Sequence, residues 1–184
     1  METLNRLQMD LTNYMIAYWN QYSHFETWQF WFNVALLVLP LIAFVIFADR
    51  SRLFLVGFYG LNVHIWFAYG DLLGSRYAFW SYPYHIIPAF SASFSLDASL
   101  VPVAFMLTYQ WSGRRGWKYY ISMLAMSAAF AFAFKPLIST VDLFQLHRGT
   151  TYAHLFLIYV AVNLMAKGLT ELFLRGERAV RPQP

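Results

Sequence analysis

Three ionisable side chains lie in or beside stretches that are otherwise apolar. Asp97 lies within residues 86–109, Lys135 lies near the end of a second apolar stretch, and Asp71 directly follows a third. An ionisable side chain inside a bilayer is costly and marks a functional site by default. A buried carboxyl group needs a paired charge, a retained proton or a polar cavity, so Asp97 is the first candidate for a chemical role.

His64 adds an imidazole to these groups. At about 1.5 Å rise per residue, His64 and Asp97 both fall near the middle of the bilayer, each about eleven residues into its span. His64 and Asp71 are seven residues apart, so on a helix they share a face. These observations predict that Asp97, Asp71 and His64 form an acid/base site.

Aromatic and polar residues of the same half of the chain are candidates for the walls of that site. A cavity with an apolar body and a few convergent polar groups is the usual form of a small-molecule site. The predicted ligand-binding residues are Trp66, Tyr69, Trp80, Tyr82, Lys135 and His154.

Each of these groups also has a purely structural interpretation. Asp97 and Lys135 would form one buried ion pair that fixes helix packing. His64 would be a hydrogen-bonded interior histidine, and the aromatic residues of the 71–85 loop would form an interfacial belt. The sequence leaves these alternatives open.

The composition predicts a membrane protein. The chain has 184 residues, of which 59% are hydrophobic and 12% are charged, whereas soluble domains carry about 25% charged residues. There is no cysteine, and no two histidines have the spacing of a helical metal motif, so no metal and no cofactor is expected. Nucleotide-binding and hydrolase motifs are also missing.

Apolar stretches of near-bilayer length predict an all-α, polytopic single domain with five transmembrane helices. The spans are placed over residues 28–48, 53–70, 86–109, 119–138 and 152–174. Residues 1–27 form an amphipathic helix at the interface, and residues 175–184 form a polar tail.

The positive charges set the predicted topology. Arg50, Arg52, Arg114, Arg115, Lys118, Arg175, Arg178 and Arg181 lie on one side, against Arg6, Arg76 and Arg148 on the other. The positive-inside rule then puts the N-terminus outside and the C-terminus in the cytoplasm. This arrangement predicts a plasma-membrane protein and explains the basic composition without a nucleic-acid partner.

A pattern in the middle of the chain resembles a known family. It comprises Asp71-Leu72-Leu73-Gly74, Trp80-Ser81-Tyr82-Pro83, Asp97, Pro102-Val103, Met106 and Tyr109-Gln110. This pattern is similar to that of small multi-pass membrane proteins of spore-forming Firmicutes, a family without an assigned activity. The resemblance supports the topology and draws attention to Asp71, Trp80, Asp97 and Gln110.

A weaker resemblance is to the membrane-embedded lycopene and terpene cyclases. These enzymes similarly combine a D…W-x-Y segment with a later acidic residue beside a proline. Here the acidic residue would be Asp97, followed by Pro102, whereas the cyclases carry a paired glutamate after the proline.

Two classes of function follow. The first is a binding protein for a small hydrophobic molecule, a lipid or a membrane partner, including a second copy of the chain. The second is an enzyme of the cyclase or isomerase type, in which Asp97 delivers a proton to an isoprenoid or other lipid and Asp71 or His64 is the second acid/base group. Aromatic faces would then stabilise carbocations.

Overall fold

The computed structural model describes residues 1–112 and 116–180, and this part of the chain is mostly helical. Helix α1 is Glu2–Tyr22, α2 is Trp28–Phe47 and α3 is Leu53–Arg76. Helix α4 begins with a π-helical turn, Leu96–Leu100, and continues as Val101–Ser112. Helix α5 is Trp117–Ser139, with a π-helical segment at Ala129–Phe134, and α6 is Tyr152–Val180.

In the part of the chain that the structure describes, four helices are long and apolar enough to cross a membrane, namely α2, α3 extended by the preceding turn, α5 and α6. This confirms the prediction of a helical, multi-pass membrane protein. The shorter α4 is not among the four, so the fifth span stays a prediction. Arg114, Arg115 and Arg181, which enter the charge count, lie outside the described residues.

Helix α3 lies at the centre of the bundle. It packs against α4 and α6, and α2 packs against the first turn of α4. The close approach of α3 and α4 depends on Gly60, because a Cβ there would overlap Met106 of α4. The core contains a stack of aromatic rings from α3, α4, α5 and α6, namely Phe67, Phe105, Phe130 and Tyr159. These rings hold the helices that carry the polar residues.

The predicted span at 86–109 differs from the structure. Residues 86–93 are irregular, and the helix begins only after Ser93, whose carbonyl oxygen accepts the first backbone bonds from Leu96 and Asp97. Pro88 lies in this segment and has no backbone N–H, and it restricts the residue before it to extended conformations. Asp97 therefore lies in the first turn of α4 rather than in the middle of a long helix.

Two loops, residues 77–95 and 140–151, form what we call the two-loop cap. A short antiparallel ribbon joins them, in which Trp80–Ser81 (β1) pairs with Gln145–Leu146 (β2). The ribbon was not predicted from the sequence. The hydroxyl of Ser81 and Nε2 of His147 are also 2.8 Å apart. These contacts fix Trp80 and its neighbours over the ends of α3 and α5.

The end of α1 is tied to the two-loop cap. The indole of Trp19 donates to the carbonyl oxygen of His85 at 2.8 Å, and the Ser23 hydroxyl accepts from the His85 backbone N–H at 2.8 Å. Most other residues of α1 are exposed. Its position at the membrane interface stays a prediction.

His85 makes the stability of the cap depend on pH. Burial lowers the pKa of its imidazole to about 4, partly offset by a hydrogen bond with the Ala92 backbone. An unfolded histidine has a pKa of about 6.5, so the unfolded state binds more protons below that pH. We expect the free energy of unfolding to fall by about 1–3 kcal/mol between about pH 6.5 and 4 because of this group.

The test is thermal unfolding across this pH range. The His85→Asn variant should lose this part of the acid-side decrease, whereas His154→Asn, at an exposed histidine, should keep it. An unchanged decrease in His85→Asn would show that other groups control it.

Candidate functional site

Asp71 is the anchor of a buried polar cluster at the cap end of the bundle. One carboxylate oxygen accepts from the Trp80 indole at 2.7 Å and from the Tyr82 hydroxyl at 2.8 Å. The other oxygen accepts from the backbone N–H of Ser93 at 3.2 Å. This N–H belongs to the residue before the start of α4, so Asp71 of α3 also serves as an anionic cap for α4.

The position of Trp80 depends on a glycine. A Cβ at Gly74 would overlap the indole ring, so the ring lies directly on the backbone of α3. Gly74 is one turn beyond Asp71. The same helix therefore supplies the hydrogen-bond acceptor and the surface on which the donor packs.

Lys135 brings a positive charge into the cluster. Its side chain is only 2% exposed, and its ammonium group donates to the Tyr82 hydroxyl at 2.8 Å. The ammonium also lies 4.6 Å from the ring centre of Tyr82 and 4.0 Å from that of Phe144, which gives cation–π contacts. Tyr82 thus links Lys135 to Asp71 by two hydrogen bonds.

Asp97 and Lys135 do not form the direct ion pair that the sequence suggested. Arg52 and Asp49 form an ion pair at 2.8 Å, whereas no ion pair within 4.0 Å joins Asp97 to Lys135 among the described residues. The Asp97 carboxyl group lies close enough to the Asp71 carboxyl group and to Lys135 to interact electrostatically with both. Two neighbouring carboxylates repel each other, and the positive charge of Lys135 offsets part of that repulsion.

One oxygen of Asp97 has no partner. The residue is 5% exposed, and its Oδ1 is buried without a hydrogen bond among the described residues. A buried acceptor without a donor costs about 1–3 kcal/mol. A buried acceptor without a partner calls for an explanation, such as a catalytic role, strain or a bound water molecule.

The backbone of Asp97 explains the position of His64. In the π-helical turn the N–H of Val101 bonds to the carbonyl of Leu96. The same i→i+5 pattern would pair the Asp97 carbonyl with residue 102, which is a proline and has no N–H. His64 Nδ1 lies 2.7 Å from that carbonyl oxygen and replaces the missing backbone N–H as its hydrogen-bond donor. Since a carbonyl only accepts, Nδ1 carries the hydrogen.

The cluster itself is closed. A void of about 10 Å³ lies between Asp71, Tyr82, Lys135 and Tyr159, which is room for about one water molecule. The Tyr159 hydroxyl is buried beside it without a partner among the described residues. A lipid or an isoprenoid does not fit there.

A larger groove lies on the other side of Asp97. It has a volume of about 330 Å³ and opens between α3 and the segment before α4. Its lining residues are His64, Ile65, Ala68, Tyr69, Leu72, Phe90, Ala92, Phe94 and Asp97. The polar side chains among these residues are His64, Tyr69 and Asp97, and the other walls are apolar.

The structure therefore divides the predicted site residues between two places. Asp71, Trp80, Tyr82 and Lys135 lie in the closed cluster, whereas His64 and Tyr69 line the groove. Asp97 touches both. The Tyr82 face that was expected to stabilise a carbocation is next to the Lys135 ammonium instead.

Two predicted ligand-binding residues lie elsewhere. Trp66 is 39% exposed and lines neither the void nor the groove. His154 is exposed at the start of α6, where Nδ1 accepts from the backbone N–H of Thr151. Gln110, to which the family resemblance draws attention, bonds Phe47 and Asp49 at the opposite end of the bundle.

Sequence reasoning missed Phe144 and Tyr159 as parts of the cluster, and it missed that Ser93 takes part through its backbone. Ser93 contributes a backbone N–H, and any residue except proline has one, so its type carries no signal. Phe144 and Tyr159 contribute a ring face and an unpaired hydroxyl. The one available signal was the position of Tyr159 inside an apolar span, where a hydroxyl generally needs a partner.

The fold and the site together define a helical membrane protein with a buried carboxyl pair and a lysine nearby. No protein-family model, curated protein or solved structure matches the chain. The two resemblances noted in the sequence therefore stay expectations.

Proposed function

We propose that this protein binds one small hydrophobic molecule in the lateral groove between α3 and the segment before α4. The observation that carries the proposal is the groove itself, about 330 Å³ of mostly apolar space with His64 and Asp97 among its lining residues. Small-molecule sites have this size and this combination of apolar walls with few polar groups.

The proposed membrane topology places the groove where such a ligand is abundant. Helices α2 to α6 form five spans in the plasma membrane, with the N-terminus outside, the C-terminus in the cytoplasm and α1 at the outer interface. The two-loop cap then faces outwards, and the groove opens sideways to the lipid. A ligand enters from the bilayer, so no soluble domain is required.

Filling the groove tests this function. We expect Ala68→Phe to remove at least 90% of any hydrophobic molecule that co-purifies with the wild-type protein, because the new ring occupies the space between the groove walls. The measurement is native mass spectrometry with lipid extraction in mild detergent. A matched control is Ala125→Phe, which adds the same ring at an exposed position of α5 and should leave the ligand in place.

Equal ligand content in both variants would contradict groove binding. A stable dimer or a foreign subunit without any small molecule would support the other predicted role, binding of a membrane partner.

The carboxyl pair favours a second candidate function, acid/base catalysis on an alkene lipid. Asp97 lines the groove, so in its protonated form it would transfer a proton to a C=C bond of a bound molecule. His64 Nε2, as the free base, would take a proton from the adjacent carbon, and a shifted C=C bond would form. The lipid is then isomerised, and the proton returns from His64 to the pair.

Such a reaction has a direct isotopic test. Wild-type protein incubated with membrane lipid in D2O should introduce deuterium at carbon, because a carboxyl proton exchanges with solvent. Asp97→Asn should reduce this incorporation by a factor of about 10²–10⁴, the usual contribution of a general acid. Wild-type protein without any incorporation would leave binding as the function.

A further inference from the structure

The end of the groove at His64 offers a hydrogen-bond acceptor. His64 is one of the lining residues of the groove. Because its Nδ1 hydrogen is directed to the Asp97 carbonyl, a neutral His64 presents Nε2 as an acceptor. A ligand that satisfies this end must therefore donate hydrogen bonds.

The apolar walls of the groove restrict the ligand further. A charged head group would lose its hydration there, and burial of an unpaired charge costs far more than burial of a neutral polar group. A neutral donor avoids this cost, and a hydroxyl group is the simplest neutral donor on a lipid.

We propose that the groove is specific for a neutral long-chain alcohol whose hydroxyl donates to His64 Nε2. The chain lies against the apolar walls formed by Ile65, Leu72, Phe90 and Phe94. This inference rests on the proposed function, since it names the class of molecule that the groove takes. It adds that recognition depends on the donor hydrogen of the ligand.

The test compares three ligands of matched chain length with the wild-type protein in nanodiscs. Dodecan-1-ol has a donor hydrogen, 1-methoxydodecane has the oxygen without it, and dodecylammonium is charged. We expect the alcohol to bind about tenfold more tightly than the ether in tryptophan-fluorescence titrations, the ratio that one hydrogen bond of about 1.4 kcal/mol produces. The ammonium should bind more weakly than the alcohol.

Variants separate this inference from the proposed function. His64→Phe should reduce the preference for alcohol over ether, and Ala68→Phe should abolish binding of both. If wild-type protein binds ether and alcohol equally and Ala68→Phe binds neither, the groove is a binding site but the inference is overturned. Tightest binding of the ammonium also overturns it. If Ala68→Phe changes nothing, both proposals fail.

Discussion

Replacing Lys135 with methionine is expected to lower the free energy of unfolding by about 3–5 kcal/mol, because removal of one partner leaves buried charge without compensation. In the variant, Asp71 and Asp97 retain a negative charge beside a methionine, and the Tyr82 hydroxyl loses the donor that now lies at 2.8 Å. Thermal unfolding in one detergent, followed by circular dichroism, measures the effect.

Two further variants test whether the loss of stability comes from the charge of Lys135 inside the cluster. Lys118→Met removes a positive charge from an exposed position of the same helix and should change stability by less than about 0.5 kcal/mol. The double variant Asp71→Asn, Lys135→Met removes both charges and should be more stable than Lys135→Met alone. A Lys135→Met protein as stable as the wild type would show that the cluster holds no net negative charge without the lysine.

The second large effect is expected at Gly74. Gly74→Ala should destabilise the protein by about 2–4 kcal/mol, because the added Cβ overlaps the Trp80 ring. Overpacking of a core costs about 1–3 kcal/mol, and the displaced indole also loses its hydrogen bond to Asp71. Thermal unfolding and the near-ultraviolet circular dichroism of the tryptophan residues report the change.

Gly70 provides the matched control. It lies one turn earlier on α3, and a Cβ there meets nothing within 4 Å. Gly70→Ala should therefore keep or slightly raise stability, since alanine favours a helix by about 1 kcal/mol over glycine. Similar losses in the two variants would mean that helix flexibility, and not the contact with Trp80, explains the requirement for glycine.

The helices that coincide with apolar stretches of bilayer length could be predicted from the sequence. The structure has apolar helices Trp28–Phe47 and Trp117–Ser139, close to the predicted spans 28–48 and 119–138. The start of α4 was not predictable in this way. Residues 86–93 lie in the predicted span, but they are irregular, and the backbone N–H of Ser93 bonds to a carboxylate oxygen of Asp71. Hydropathy contains no information on such partners.

The ionisable residues of the site could be predicted from their types, but the contacts between them could be predicted less well. Asp97, Asp71 and Lys135 were recognised because ionisable groups in apolar stretches are rare. The sequence favoured contact between opposite charges, whereas the structure brings the two carboxyl groups together and places Tyr82 between Asp71 and Lys135. The irregular segment before α4 makes this arrangement possible, and no spacing rule for regular helices predicts it.

The most direct test of groove binding is photo-crosslinking in nanodiscs with a long-chain alcohol that carries a diazirine in its chain. Peptide mapping should place most of the label on two segments, residues 64–72 of α3 and residues 90–97, which together line the groove. Excess dodecan-1-ol should compete the label away, and Ala68→Phe should prevent it. Label spread over the exposed surface of α2, without competition, would show that the protein only contacts bulk lipid and would contradict a specific site.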